Sequence, residues 1–193
     1  YTYQGSGSTI YGPSATAPTA AGSYTITPSA TFTVGSASSY SSVTYTSSSF
    51  TINKAVLTAT PSGATATYGD SAPVYGIGVT GFKNSETTST AAGYVAPTCT
   101  STYSATSAAG SSITYTCTGG SATNYTITNS GSASVTVNKA TLTVSPDAKS
   151  VTYGGSAPTY TFTVTGFKFS ETSSTAASYV PPTCTSSYTS STP

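Results

Sequence analysis

The chain of 193 residues carries five Lys, four acidic residues and no Arg, His, Trp or Met, for a formal net charge of +1. Charged residues are 5% of the total, against about 25% in an average domain, while Ser and Thr together make up roughly two-fifths. This balance excludes an electrostatic footprint for nucleic acid or an anionic membrane, catalysis by His, and a transmembrane helix, since no apolar run approaches the roughly 20 residues required.

Low charge alone would suit a disordered chain, but disorder also requires few aromatics. Here 11% of residues are aromatic, with 16 Tyr, so a packed β core is expected. Without Met, Tyr1 does not read as a translation start, and the chain is expected to be a processed product or a window on something longer.

Taken in chain order, residues 1–52 read as the second half of a repeat. Ala20-Ala21-Gly22-Ser23 aligns with Ala108-Ala109-Gly110-Ser111, Tyr40 with Tyr125, and Phe50-Thr51-Ile52 with Val135-Thr136-Val137. Residues 53–137 form a complete repeat. Leu57–Ala59 is its opening strand, Tyr75, Ile77 and Val79 alternate with Gly as the next, and Ile113-Tyr115-Cys117, Tyr125-Ile127 and Val135-Val137 are the later ones. Pro61-Ser62-Gly63, Tyr68-Gly69-Asp70 and Gly119-Gly120-Ser121 punctuate them. Residues 138–193 then write residues 53–108 again at an offset of 85, with 33 of 56 positions identical. Leu142–Val144 and Tyr160, Phe162 and Val164 are the copied strands. No helical period lasts three turns, so the pattern is all-β, with antiparallel modules of about 85 residues. A half-module exposes unpaired strand edges. Two arrangements answer this: continuation of the array, which is the favoured reading, or completion of halves between neighbouring copies.

Cys99 and Cys117 lie 18 positions apart, each after a strand-like stretch, with turn-prone Ser107-Ala108-Ala109-Gly110 between them. A hairpin-like return places them side by side, so a disulfide is expected, and with it an oxidising compartment. Cys184 is the copy of Cys99 and is expected to be unpaired within these residues. A metal site is not expected, since structural zinc takes four ligands and the chain has no His.

The order Asn-Lys-Ala-x-Leu-Thr (from Asn53 and Asn138), Thr-Tyr-Gly-x-Ser-Ala-Pro (from Thr67 and Thr152) and Val-Thr-Gly-Phe-Lys (from Val79 and Val164) resembles the MBG repeats of large bacterial surface proteins. Ala20 to Ser29 and Ser49 to Ala55 fit the same pattern, and the Cys99/Cys117 arrangement resembles a subset of that family with a paired cysteine. The resemblance implies a tandem extracellular β module of adhesin-like or surface-fibre proteins and brings no catalytic residues. It leaves the sheet topology between an immunoglobulin-like sandwich, which is favoured, and a β-grasp-like arrangement.

The residues themselves offer little chemistry. A paired-carboxylate site in one module would have to use Asp70 and Glu86, but the copy of Asp70 is Gly155, so the acids read as turn capping by Asp70 and pairing of Glu86 with Lys83. No clustered Asp or Asn suggests calcium. Lys54 and Lys139 recur at the repeat starts, where an isopeptide bond is the sharp reading and a solvated Lys the plain one. Thr-x-Thr steps admit an ice-binding face but are better explained by strand propensity. Tyr75, Tyr115 and Tyr160 fall on the apolar side of the alternation and read as core rather than as sugar-stacking platforms. The expectation is therefore a non-enzymatic protein with no cofactor and no metal, located outside the cell or on its surface. It would act as the stalk or fibre of an adhesin-like protein, partnered by neighbouring repeats of the same chain or by identical subunits. A self-assembling filament subunit and a binder of host or environmental glycans are the alternatives.

Overall fold

The computed structural model describes residues 1–30 and 43–190; the alignment of Tyr40 with Tyr125 lies outside them. Strands account for the regular structure throughout, and no helix occurs among the described residues. In chain order they are β1 (Thr2–Gly5), β2 (Gly22–Thr27), β3 (Ser48–Ile52), β4 (Ala55–Ser62), β5 (Ala64–Thr67) and β6 (Gly76–Thr80). They continue with β7 (Thr98–Ser101), β8 (Ser112–Thr118), β9 (Tyr125–Asn129), β10 (Ala133–Asn138), β11 (Thr143–Pro146) and β12 (Phe162–Thr165).

The alternation decides which face is buried. Along β4, Leu57, Ala59 and Pro61 point inward; along β8, Tyr115 and Cys117 do so while Thr114, Thr116 and Thr118 face out. Val135 and Val137 fill the same role in β10. The Thr ladders thus occupy outer faces, where β-branched residues suit the pleat without being buried.

The complete repeat makes two sheets, ordered β6-β4-β9 and β5-β10-β8-β7. Two of their pairings run parallel, β4 with β9 and β5 with β10. Alternation reports a face, not a direction, so this departs from the purely antiparallel expectation. The long chain between β4 and β9 supplies the crossover that a parallel pair needs. Pro61-Ser62-Gly63 also proves to be more than a break. Pro61 lies within β4, and at Gly63 the chain leaves the first sheet and enters the second as β5.

Each flanking half builds the sheet that its residues can make. In β1-β2-β3, Gly22 is registered with Ile52, as the Gly110 amide meets the Val137 carbonyl in the complete repeat. In β11-β12, Thr143 is registered with Thr165, as Thr58 is with Thr80 in β4-β6.

By its internal contacts the chain forms two compact units. The first comprises residues 1–62, 76–100 and 116–132. Its core is Leu57, Ala91, Ala122 and Tyr125, with Ala55, Val79, Phe82, Tyr94 and Ile127 packed around them. The second comprises residues 63–75, 101–115 and 133–193. Its buried side chains include Tyr115, Val135 and Val137, and the Tyr75 ring lies 4.8 Å from that of Tyr115. Each unit therefore mixes residues of the complete repeat with residues of one flanking half.

Candidate functional site: the repeat junctions

The residues that recur across the repeats meet where one repeat follows another. In the second unit the Tyr-Gly-x turn of the complete repeat faces the loop after β12. The Tyr68 hydroxyl donates to Glu171 Oε1 at 3.0 Å, and its ring stands edge-on to Phe169 with centroids 5.5 Å apart. Lys168 Nζ lies 3.2 Å from Asp70 Oδ1. Asp70 is exposed and the Lys168 side chain is about a third exposed, so solvent screens this ion pair and it contributes less than about 1 kcal/mol.

Gly69 explains the second letter of the turn. Its φ is +91°, and an added Cβ would lie 2.4 Å from Lys168 Cγ. Any other residue would both strain the backbone and displace the Lys168 stem. The loop that carries the partners is itself unusual: Phe169 and Ser170 have φ of 52° and 61°, and their counterparts Asn84 and Ser85 have 54° and 59°. Positive φ at a bulky residue such as Phe169 is costly, and here it places the ring against Tyr68.

In the first unit the equivalent acid serves a different tyrosine. The Tyr125 hydroxyl donates to Glu86 Oε2 and accepts from the Lys83 amide at 3.0 Å. The Tyr125 ring packs edge-on against Phe82 at 5.7 Å. The preceding half-repeat is joined on by Asn124, whose Oδ1 accepts from the Ala21 amide at 2.9 Å while its carbonyl accepts from Ala55. Both phenols titrate above their ordinary value of 10.0. For Tyr68 the main cause is the bond to Glu171, with burial and the carboxylate charge adding. For Tyr125 it is the bond to Glu86, partly opposed by the Lys83 backbone.

The remaining polar residues are placed as follows. Lys54 Nζ donates to the Ala122 carbonyl at 3.2 Å. Asp147 accepts from Thr161 and Thr163, and those bonds, Thr161's first, hold its carboxyl below the ordinary 3.8, helped by Lys149 and opposed by burial. Cys99 on β7 and Cys117 on β8 form a disulfide with Cα atoms 3.9 Å apart, and Cys184 carries a free thiol. Among the described residues no cluster of His, Cys, Asp or Glu could hold a metal ion, and no helix is long and apolar enough to cross a membrane.

Sequence reasoning placed Glu86 beside Lys83 and Asp70 on its own turn. The structure instead gives Glu86 to Tyr125 and pairs Asp70 with Lys168 of the next repeat. The only signal for these contacts was that Tyr68 and Glu171 both belong to the repeated frame, because partners 103 residues apart leave no local pattern.

Sheets repeated at an offset of 85 residues, with side chains bridging successive copies, define a tandem all-β repeat protein. More narrowly, the chain belongs to the MBG domain (YGX type) family, whose sequence profile matches residues 57–134 and 142–193. The Tyr-Gly-x of that description corresponds here to Tyr68-Gly69-Asp70 and Tyr153-Gly154-Gly155. Neither the curated proteins nor the solved structures compared with the chain include a match.

Proposed function

We propose that this chain is a structural segment of an extracellular, adhesin-like surface protein, in which repeats follow one another as a stalk or fibre, and that it is not an enzyme. The observation that carries the reading is the junction in the second unit. There, successive repeats are joined by continuous chain and also by Tyr68 on Glu171, Phe169 on Tyr68 and Lys168 on Asp70. Contacts of this kind restrain bending where two modules meet, which suits a spacer.

Three further points support it. MBG membership agrees with a repeat module of surface proteins. The Cys99–Cys117 link belongs in an oxidising compartment. The four acids are each engaged structurally, Asp70 with Lys168, Glu86 with Tyr125, Asp147 with Thr161 and Thr163, and Glu171 with Tyr68. None is left poised for acid–base work. The partners on this reading are neighbouring repeats. Pulling the chain by its ends in single-molecule force spectroscopy tests it. Discrete unfolding events whose contour length increases by about 60 Å on reduction, from the 18 residues held by the disulfide, are expected. Extension without resistance would contradict a load-bearing role.

A further inference from the structure

The second unit contains a recess of about 450 Å³ lined by Ala140, Leu142, Phe167, Glu171, Ala176 and Tyr179, among others. Subtracting the offset of 85 turns these into Ala55, Leu57, Phe82, Glu86, Ala91 and Tyr94. Apart from Glu86, which binds Tyr125 directly, those are members of the first unit's core or its packed surround. In the first unit the same space is filled by Ala122, Tyr125 and Ile127, delivered by β9 and the turn before it. Leu57 is 0% exposed there, and Val144, the copy of fully buried Ala59, is 43% exposed.

The segment between Glu171 and Ala176, beside the recess, keeps the hydrogen bonds of its counterpart. Thr172, Ser174 and Thr175 repeat the hydrogen bonds of Thr87, Ser89 and Thr90, with amide-to-hydroxyl distances of 2.8 Å and 2.7 Å for the leading pair. The Tyr179 hydroxyl is buried without a hydrogen-bond partner. The Tyr-Gly-x turns match as well: Tyr103 donates to the Asp70 carbonyl and Tyr188 to that of Gly155, both at 2.9 Å. Yet Gly69 lies under Lys168, whereas a Cβ on Gly154 would meet nothing within 4 Å, and Tyr153 is 80% exposed.

We propose that the recess is the seat of a β9-type strand, Ala-x-x-Tyr-x-Ile, from the second half of an MBG repeat in tandem with it in the same polypeptide, and that Glu171 then holds two tyrosines at once. The strand would add parallel to β11 in the register of β4 with β9, where Ala55 faces Tyr125 and Leu57 faces Ile127. That places its Tyr opposite Ala140 and its Ile opposite Leu142. A carboxylate accepts through two oxygens. Tyr68 uses one of Glu171's, and the incoming phenol takes the other, as Tyr125 does on Glu86. One acid thereby closes its own module and holds it to the preceding one. Tyr153 is the corresponding tyrosine for the acid of a following repeat. Because Gly155 replaces Asp70, that contact lacks the ion pair to Lys168's counterpart and depends on the phenol alone.

The proposal rests on the tandem-repeat reading and can fail separately from it. The chain has two Leu residues, Leu57 and Leu142, so selective methyl labelling reports the filled and the open seat directly. The full chain is extended in phase by a second copy of residues 109–193. The Leu142 methyl signals are expected to move to the ring-shifted position of Leu57, and replacing the appended copy of Tyr125 with Ala is expected to return them. When the extended chain is folded in a glutathione redox buffer, whose disulfide form takes up the two electrons and two protons, Cys184 should form a disulfide with the appended copy of Cys117, as Cys99 does with Cys117. If Cys184 pairs and Leu142 does not move, the repeat reading stands and the shared seat is refuted. If neither changes, both are refuted. In the unextended chain, a Leu142 shift that grows with protein concentration would name a second copy as the occupant and overturn the assignment. A second arm is independent of the extension. Glu171→Ala is expected to raise nitration of Tyr68 by about tenfold while leaving the already exposed Tyr153 unchanged, and equal rates before and after the substitution would count against Glu171 as the shared acceptor.

Discussion

Breaking the Cys99–Cys117 bridge should remove a large part of the stability of the unit that contains it. The two residues are 18 apart, and releasing a loop of that length returns entropy to the unfolded chain equivalent to about 3 kcal/mol at 25 °C. Cys117 is 4% exposed, so truncating it to Ala leaves a void that costs about 1 kcal/mol more. The Cys99→Ala, Cys117→Ala double variant is therefore expected to lose about 4 kcal/mol, and the reduced but otherwise unaltered chain about 3 kcal/mol. The difference separates the cross-link from the packing. Against a typical total of about 5–15 kcal/mol this is decisive. Urea unfolding followed by Tyr fluorescence, with Cys184 alkylated beforehand to prevent exchange, measures it. With a slope near 1.5 kcal/mol/M, the midpoint should fall by about 2 M on reduction. Oxidised and reduced chains with coincident midpoints would refute the reasoning, since the link would then constrain nothing in the unfolded state.

Other expectations follow from single sites. Leu57→Ala should cost about 3 kcal/mol because the side chain is fully buried in the first unit's core, read as a lower urea midpoint. Gly69→Ala should destabilise more than Gly154→Ala in the same assay, since both have positive φ but only Gly69 has Lys168 packed over it. The phenols of Tyr68 and Tyr125 are raised in the folded state, so their contribution is complete below pH 10.0 and is lost as pH rises through the folded values. The Tyr68→Phe, Tyr125→Phe double variant should show a shallower alkaline fall in unfolding midpoint. Asp147 has the opposite sign: its carboxyl is lowered, so its contribution is present above pH 3.8 and is lost as pH falls through the folded value. Asp147→Asn should flatten the acid limb.

What could be read from the residues was what repeats or alternates. The offset of 85, the inward faces of β4, β8 and β10, and the placing of Thr on outer faces follow from periodicity, because a pleated strand sorts side chains with period two. Strand direction does not follow from it. The parallel pairing of β4 with β9 depends on where the chain returns, and Pro61-Ser62-Gly63 looks the same in sequence whether it ends a strand or carries one between sheets. The junction contacts were hidden for a related reason. Tyr68 and Glu171 come together only once two modules are folded and adjacent. Their recurrence in the repeat was visible, but the reason for it was not. The same holds for the recess: sequence pairs Leu142 with Leu57, and only the structure shows one half-buried on the recess wall and the other fully buried against Tyr125.

The most direct test of the account is immunogold electron microscopy of intact, unpermeabilised cells of the source organism, using antibodies raised against residues 53–137. The account predicts label outside the envelope, at intervals along projecting fibres. Label confined to the cell interior would contradict it.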